Sequence, residues 1–321
     1  MGPRRRLITA VGFAALAAAG WLAIPKRFAI EGVSMGPALL PGDVVCTGPF
    51  PACDRLRRPR RFERWVLDLA DGTGIKRVVG LPGEEVAIVA GDLAVGGRQV
   101  VKGPRVLGQV GAVVPDDAAD TPPAAEPGWA WSRPAGEVLD DAAFESGATR
   151  VLAAVRDAGL AAVVDVQDAS AADPAVVRLR VGDAIVARPL ERPGRHAVVA
   201  GRLDGRLVVA AWPVAAAAAS ADGRSCLPPG PPATWDVADP WPASAGGDDA
   251  PPLAIGGDRL RVARVSRWRD VAWRPGADGN AAWRLGADEV FVLGDFPAAS
   301  TDSRHWGPVR AAALRQRVAG D

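Results

Sequence analysis

Hydrophobic positions along the chain form one long apolar run followed by many short segments. The run, residues 7–24 (LITAVGFAALAAAGWLAI), carries no charge and follows three arginines at positions 4–6. As a helix it would measure about 27 Å, enough to cross the hydrocarbon core of a bilayer. The arginines favour a cytoplasmic N-terminus of residues 1–6, so we expect a membrane anchor with the remaining chain outside the cytoplasm. A cleaved secretory signal is the alternative, because ALAAAG offers small residues for cleavage.

Beyond this run, apolar segments separated by Gly, Pro and Asp predict strands and turns. Residues 74–88 (GIKRVVGLPGEEVAI) predict a mostly buried strand and a turn at LPGE, and VFVL at 290–293 predicts another buried strand. Residues 93–101 predict a hairpin that turns at Gly96-Gly97. The chain is therefore expected to be mainly β.

The middle of the chain predicts an inserted domain. Strand-like segments turn at Gly182-Asp183 and at Asp204-Gly205, and no helical period is evident, which indicates a β-sandwich over residues 128–227. Pro-rich linkers are predicted at 115–127 and 228–252. The sandwich is also a candidate binding module, although its tryptophans more simply serve packing, and a fold alone does not establish function.

Composition narrows the possible functions. The 321 residues are 49% hydrophobic and 23% charged, as in globular proteins, and a net charge of +1 gives no indication of a nucleic-acid partner. Three cysteines without a CxxC pair predict neither a disulfide framework nor a zinc site. Cys46 and Cys53 are close enough in sequence to pair in an oxidising compartment. We expect no metal and no cofactor.

Two residues, Ser34 and Lys76, are candidates for nucleophilic chemistry. Of 38 basic residues only Lys26, Lys76 and Lys102 are lysines, and Lys76 lies within an apolar strand. In isolation, such a lysine is most simply a strand residue with its amine in water. A desolvated lysine, however, has a lowered pKa and can accept a serine proton. Only two histidines, at 196 and 305, are present for a Ser-His-Asp triad.

A third polar segment follows the strand at 290–293. Residues 294–304 (GDFPAASTDSR) place Ser300, Asp302, Ser303 and Arg304 close together after a core strand. This density of small and charged residues is typical of the wall of a site, although an ordinary polar loop is the alternative.

Three segments together resemble type I signal peptidases, the Ser-Lys membrane proteases that remove signal peptides. GVSMGPALLPGD at 32–43 is similar to the family's nucleophile box, and KRVVGLPGE at 76–84 to its general-base box. GDFPAASTDSR is similar to the third box. The chain departs from the pattern at Ala38, where threonine is usual, and at Phe296–Ala299, where polar residues are common.

The resemblance implies the roles of individual residues. Ser34 is the expected nucleophile and Lys76 the general base, with Ser300 orienting the lysine amine and the Ser34 backbone N–H donating to the oxyanion. Gly32 and Met35 are expected near the substrate; some family members carry a serine where this chain has Gly32. The expected bracing residues are Arg77, Asp295, Asp302 and Arg304, with Asp302 pairing with Arg304 and Arg77 as a further candidate partner.

The resulting expectation is a membrane-anchored serine endopeptidase that removes signal peptides from exported precursors. Its signal-peptidase-like β core would comprise residues 25–114 and 253–321, split by the sandwich and held by one transmembrane helix. It would lie in the inner (cytoplasmic) membrane with the catalytic domain on the extracytoplasmic side. Precursors with small residues at −1 and −3 and the lipid bilayer are the expected partners.

Two alternatives remain open. A self-cleaving repressor-type Ser-Lys protease shares the serine box and the lysine, but the apolar anchor and the third box argue against it. An inactive exported protein could instead use the sandwich as a binding module. Gly36 and the altered residues Phe296–Ala299 favour that alternative, whereas the presence of both Ser34 and Lys76 opposes it.

Overall fold

The computed structural model of the chain is mainly β. It describes residues 24–48, 54, 57–69, 72–114, 126–140, 152–215, 225–240, 249–276 and 279–319. The predicted anchor lies outside these ranges except for its last residue, Ile24. Among the helices within these ranges, none is long and apolar enough to cross a membrane.

Within the described ranges, strands and two short helices follow one another in this order. The first part contains β1 (Arg27–Ala29), β2 (Val44–Cys46), β3 (Arg64–Leu69), β4 (Gly72–Gly80), β5 (Glu85–Val89), β6 (Asp92–Val95), β7 (Arg98–Gln99), α1 (Pro104–Val110) and β8 (Ala112–Val113). The middle contains β9 (Trp131–Arg133), β10 (Ala158–Val166), β11 (Ala175–Val181), β12 (Ala184–Leu190), β13 (Gly194–Leu203), β14 (Arg206–Pro213), β15 (Asp236–Pro240), β16 (Leu253–Asp258) and β17 (Leu260–Arg269). The last part contains β18 (Ala282–Arg284), β19 (Glu289–Leu293), a 3-10 turn (Pro297–Ala299), α2 (Ser303–Trp306), β20 (Val309–Arg310), a second 3-10 turn (Ala311–Ala313) and β21 (Leu314–Arg317).

A five-stranded sheet, in the order β20-β19-β4-β3-β21, brings distant parts of the chain together. Strand β4 carries the lysine box, and its neighbour β19 leads into the third box. The two strands pair antiparallel, with Leu293 opposite Arg77. This pairing explains why segments more than 200 residues apart in sequence can contribute to one site.

The serine box lies in the loop between β1 and β2, which form a separate two-stranded sheet. Apolar side chains hold this loop against the five-stranded sheet; the buried cluster comprises Ile30, Met35, Leu39, Val45, Val66 and Val318. Burial of these side chains from water therefore positions Ser34 relative to β3 and β4. Cys46 at the end of β2 carries a free thiol, and Cys53 lies outside the described residues.

Two further sheets pack face to face in the middle of the chain. Their orders are β15-β14-β13-β10-β17-β8 and β12-β11-β16-β9, and buried Val, Leu, Ile and Ala side chains from both form one core. We call this pair of sheets the sandwich. Both predicted hairpin turns are confirmed: β11 pairs with β12 around Gly182-Asp183, and β13 with β14 around Asp204-Gly205. Asp204 and Gly205 have φ of 47° and 65°, as a tight two-residue turn requires.

The sandwich extends beyond the predicted boundary at residue 227. Strands β16 and β17, expected in the second part of the protease core, pair instead with β11 and β10 of the sandwich. Strand β15 forms within the segment expected to be a linker, and β8 pairs with the end of β17. Alternation of apolar residues indicates a strand but not its partner, which explains the difference.

A four-stranded sheet, in the order β18-β5-β6-β7, completes the fold. Strands β6 and β7 form the predicted hairpin around Gly96-Gly97. Buried side chains of β4, β5, β6 and β19, including Phe291 and Leu293, share a core with Val110 of α1 and with Trp273. This core underlies the strand ends from which the third box emerges.

Candidate active site

The fold brings Ser34 and Lys76 into hydrogen-bond contact. Lys76 lies on β4 with only 5% of its surface exposed, and its Nζ is 2.9 Å from Ser34 Oγ. Ser34 is half-buried, at the edge of the loop between β1 and β2. A serine hydroxyl this close to an amine can transfer its proton when the amine is neutral.

Ser300, from the third box, contacts the same amine. Its Oγ lies 3.2 Å from Lys76 Nζ and donates a hydrogen bond to Asp302 Oδ2 at 2.8 Å. A hydroxyl has a single proton to donate, so Ser300 accepts from Lys76 while it donates to Asp302. A neutral Lys76 that donates to Ser300 would retain its lone pair for the Ser34 hydroxyl.

Asp302 is held in its charged form by several donors. Arg304 Nε and Nη2 each donate to the carboxylate at 2.8 Å, and the Gly294 backbone N–H donates at 2.9 Å. Burial alone would raise the pKa of Asp302, but these donors outweigh it and lower the pKa below its ordinary value. Asp302 therefore remains an acceptor for Ser300.

Arg77 has a different partner from the candidate considered in the sequence. It forms two hydrogen bonds with Asp295, from Nε to Oδ1 at 2.7 Å and from Nη2 to Oδ2 at 2.6 Å, and both side chains are fully buried. Arg77 Nη1 also donates to the Phe62 carbonyl and to Gln109 of α1. Asp295 and Asp302 of the third box thus each form a buried pair, with Arg77 and Arg304 respectively.

The backbone of the third box passes unusually close to the two serines. A Cβ atom on Gly294 would lie 2.1 Å from Ser300 Oγ and 2.5 Å from the Ser34 carbonyl oxygen, so only glycine fits without displacement. The Phe296 backbone N–H donates to the same Ser34 carbonyl at 3.0 Å. The residues Phe296–Ala299, which depart from the family pattern, therefore form an ordered turn that contacts the serine loop.

The two residues expected near the substrate lie in different environments. Met35 is 2% exposed and packs in the apolar cluster beneath the loop, so its side chain has a packing role and a contact with substrate stays a prediction. Gly32 is exposed, and no atom lies within 4 Å of the position that its Cβ would occupy. Within the described part of the chain, the Ser34 backbone N–H donates no hydrogen bond.

Neither histidine contacts Ser34. His305 Nδ1 accepts a hydrogen bond from the Asp302 backbone N–H at 3.3 Å and so caps the N-terminus of α2. His196 lies on β13 of the sandwich. The hydrogen bonds that join Ser34 to Lys76 and Lys76 to Ser300 thus connect residues of the three boxes.

A second group of ionisable residues is buried away from these serines. Asp92, Asp157, Asp204 and Asp270 each place a carboxylate oxygen within 4.8 Å of the others, which is a possible arrangement for a cation. The ammonium group of Lys102 already contacts two of them, Asp204 and Asp270. No role was predicted for these residues from the sequence, in which the rarity of lysine is the one signal that could have drawn attention to Lys102.

Comparison with known proteins agrees with the resemblance in the boxes. Residues 4–122 match the family described as signal peptidase, peptidase S26. The matched range includes Ser34 and Lys76 but ends well before the third box. No curated protein matches the chain. The contacts of Ser300 and Asp302 therefore support the same site from a part of the chain that the family match does not include.

Proposed function

We propose that this chain, whose residues 4–122 match the signal peptidase family, peptidase S26, is a membrane-anchored endopeptidase that removes signal peptides by a Ser-Lys dyad. The family match supports the activity of a serine peptidase on precursors that carry signal peptides. The observation that carries the proposal of a Ser-Lys dyad is the 2.9 Å contact between Ser34 Oγ and Lys76 Nζ.

In the proposed mechanism, Lys76 accepts the Ser34 proton as Oγ attacks the scissile carbonyl. Burial disfavours the charged ammonium group, and Ser300 orients the amine by accepting one of its N–H bonds. The acyl-enzyme forms when Lys76 returns the proton to the leaving amine. Water then attacks the acyl group, again with Lys76 as the base, and free Ser34 is regenerated.

The proposed oxyanion donor is the backbone N–H of Ser34. Its lack of a partner among the described residues supports this role, because a donor that stabilises an oxyanion must be available to the substrate. Loss of one such donor costs roughly 3–4 kcal/mol in other enzymes. Gly32 supplies no side-chain donor, so a second donor would come from backbone or water.

The proposed membrane anchor is the apolar run at 7–24, with the catalytic domain on the extracytoplasmic side of the inner membrane. Its uncharged length and the arginines at 4–6 support this topology. Protease treatment of intact cells, or spheroplasts where an outer membrane is present, should digest the folded body of the protein. Complete protection of that body from added protease would contradict the topology.

Cleavage of a precursor tests the proposed activity directly. The full chain, purified in detergent, should convert a precursor that carries a signal peptide into one product whose new N-terminus lies at the signal junction. Ser34→Ala should abolish this product, whereas Ser170→Ala, a change of an exposed serine in the sandwich, should not. An intact precursor after incubation with the wild-type protein, or equal cleavage by Ser34→Ala, would refute the proposal.

A further inference from the structure

Lys102 is completely buried and lies between the sandwich and the sheets that carry the three boxes. Its ammonium group contacts the Asp204 carboxylate, and Asp270 Oδ2 lies 2.8 Å from Nζ. Its backbone N–H also donates to Asp204 at 2.7 Å. Asp204 belongs to the turn between β13 and β14, so this contact joins the sandwich to the segment that precedes α1.

We call Lys102 and its neighbours Asp204 and Asp270 the junction. Other buried groups form hydrogen bonds with it. Trp235 donates from Nε1 to the Lys102 carbonyl at 2.7 Å, and the Asp204 backbone N–H donates to the Asp157 carboxylate. Burial opposes the charge on Lys102, but Asp204 and Asp270 outweigh it and raise the pKa of the amine above its ordinary value. Lys102 is therefore a cation held by carboxylates, in contrast to the base role proposed for Lys76.

A tryptophan connects this junction to the active site. Lys102 Nζ lies 4.9 Å from the centre of the Trp273 ring, a cation–π distance. Trp273 Nε1 in turn donates to the Gly294 carbonyl at 3.3 Å. Gly294 is the residue whose backbone packs against Ser300 Oγ and the Ser34 carbonyl.

The contacts Asp204–Lys102–Trp273–Gly294 thus form a continuous series from the sandwich to the two serines. We propose that Lys102 and Asp204 are positioning residues, which hold Trp273 so that its indole N–H fixes the Gly294 carbonyl and the adjacent Ser34–Lys76–Ser300 geometry. The sandwich is then a required part of the catalytic unit. The predicted effect of these residues on the cleavage rate rests on the proposed function. Their predicted effect on the Gly294 backbone is independent of any activity.

Trp273→Phe tests the last contact in the series. Phenylalanine keeps an aromatic ring next to Lys102 but has no N–H for Gly294. The matched control is Trp283→Phe, because Trp283 belongs to the same buried cluster and its indole makes no hydrogen bond within the described residues. Both changes remove similar volume, so a difference between them reports the hydrogen bond.

Asp204→Asn tests the contribution of the sandwich. It keeps the shape of the side chain and removes one of the charges that hold Lys102. The control is Asp173→Asn, which breaks an exposed pair with Arg259 in the same sandwich. Each full-length variant is measured for thermal unfolding, for kcat and KM on the precursor, and for backbone hydrogen exchange in peptides covering Gly294 to Phe296.

Trp273→Phe and Asp204→Asn should each lower kcat about fivefold to tenfold, as expected for one lost hydrogen bond, with KM within twofold of wild type. Exchange at the Gly294 and Phe296 amides should become faster in both, whereas the two controls should match wild type. Unchanged kcat and unchanged exchange in a folded Trp273→Phe protein would overturn the inference, even if Asp204→Asn fails to fold. If the wild-type protein cleaves no precursor, the proposed function fails, and the exchange measurement alone decides this inference.

Discussion

Ser300 Oγ lies 2.8 Å from Asp302 Oδ2, and this hydrogen bond fixes the direction of the Ser300 proton. Because that proton points to the carboxylate, Ser300 presents only a lone pair to Lys76, 3.2 Å away. The lysine amine is thereby oriented without receiving a proton from Ser300. The Asp302 carboxylate also accepts a hydrogen bond from the Gly294 backbone N–H. It therefore positions both the Ser300 side chain and the Gly294 backbone.

Ser300→Ala should lower kcat while it leaves KM nearly unchanged. Loss of an orienting hydrogen bond at a buried amine costs about 1–3 kcal/mol, which corresponds to roughly fivefold to 150-fold in rate. Steady-state cleavage of a precursor measures both constants. Ser266→Ala is the matched control, because Ser266 also makes a side-chain hydrogen bond but lies in the sandwich. Equal kcat in wild type and Ser300→Ala would show that Ser300 does not orient the base.

Gly32→Ser should retain activity and raise kcat by up to about tenfold. The space beside Gly32 is open, and a hydroxyl there could supply a second donor to the oxyanion, as the resemblance implies for family members with serine at this position. Gly32→Ala fills the same space without a donor and should show no increase. The comparison of the two variants under single-turnover conditions isolates the hydroxyl. Identical rates for serine and alanine at this position would exclude a donor role.

Asp92→Asn should make the protein more stable at high pH. Burial, and then the nearby Asp157, raise the pKa of Asp92 in the folded state to about 9, from 3.8. Between these values the folded state holds a proton that the unfolded state has lost, so this group's stabilisation falls as pH rises. The slope for one proton is at most about 1.4 kcal/mol per pH unit. Asparagine resembles the neutral carboxyl and does not titrate.

Urea unfolding at pH 6, 7.5 and 9 measures this effect. The free energy of unfolding should fall less steeply with pH in Asp92→Asn than in wild type, and the variant should be the more stable protein at pH 9. Asp183→Asn, a change at an exposed hairpin turn, should keep the wild-type slope. Parallel pH profiles for Asp92→Asn and wild type would contradict a protonated Asp92 in the folded state.

Local patterns in the sequence predicted much of the fold. The hairpins at Gly96-Gly97, Gly182-Asp183 and Asp204-Gly205 form as expected, because their turn residues and flanking apolar positions lie within a few residues of each other. The pairing of strands that are distant in sequence was not predictable in this way. Strand β17 alternates like any strand, and only tertiary pairing reveals that its neighbour is β10.

In the candidate site, too, features with a local sequence pattern were predictable and contacts between distant segments were not. Ser34, Lys76 and Ser300 were recognisable because each lies in a short box with several matching neighbours, and the fold brings all three into contact. The junction around Lys102 has no such local signal, because its carboxylates come from four separate turns and strand ends. Trp273 was equally inconspicuous, since nothing in its surrounding sequence indicates that its indole contacts Gly294.

The central claim is that Lys76 is the general base for Ser34, and Lys76→Arg tests it most directly. Arginine keeps the positive charge and much of the volume but stays protonated near neutral pH, so it cannot accept the serine proton. The matched control is Lys26→Arg, the same change at an exposed lysine.

The decisive measurement is the single-turnover cleavage rate of a precursor by the detergent-solubilised full chain. We predict that Lys76→Arg falls to the level of Ser34→Ala, that the double variant falls no further because the two residues act as a unit, and that Lys26→Arg cleaves like wild type. Cleavage by a folded Lys76→Arg protein at a rate near wild type would contradict the Ser-Lys mechanism.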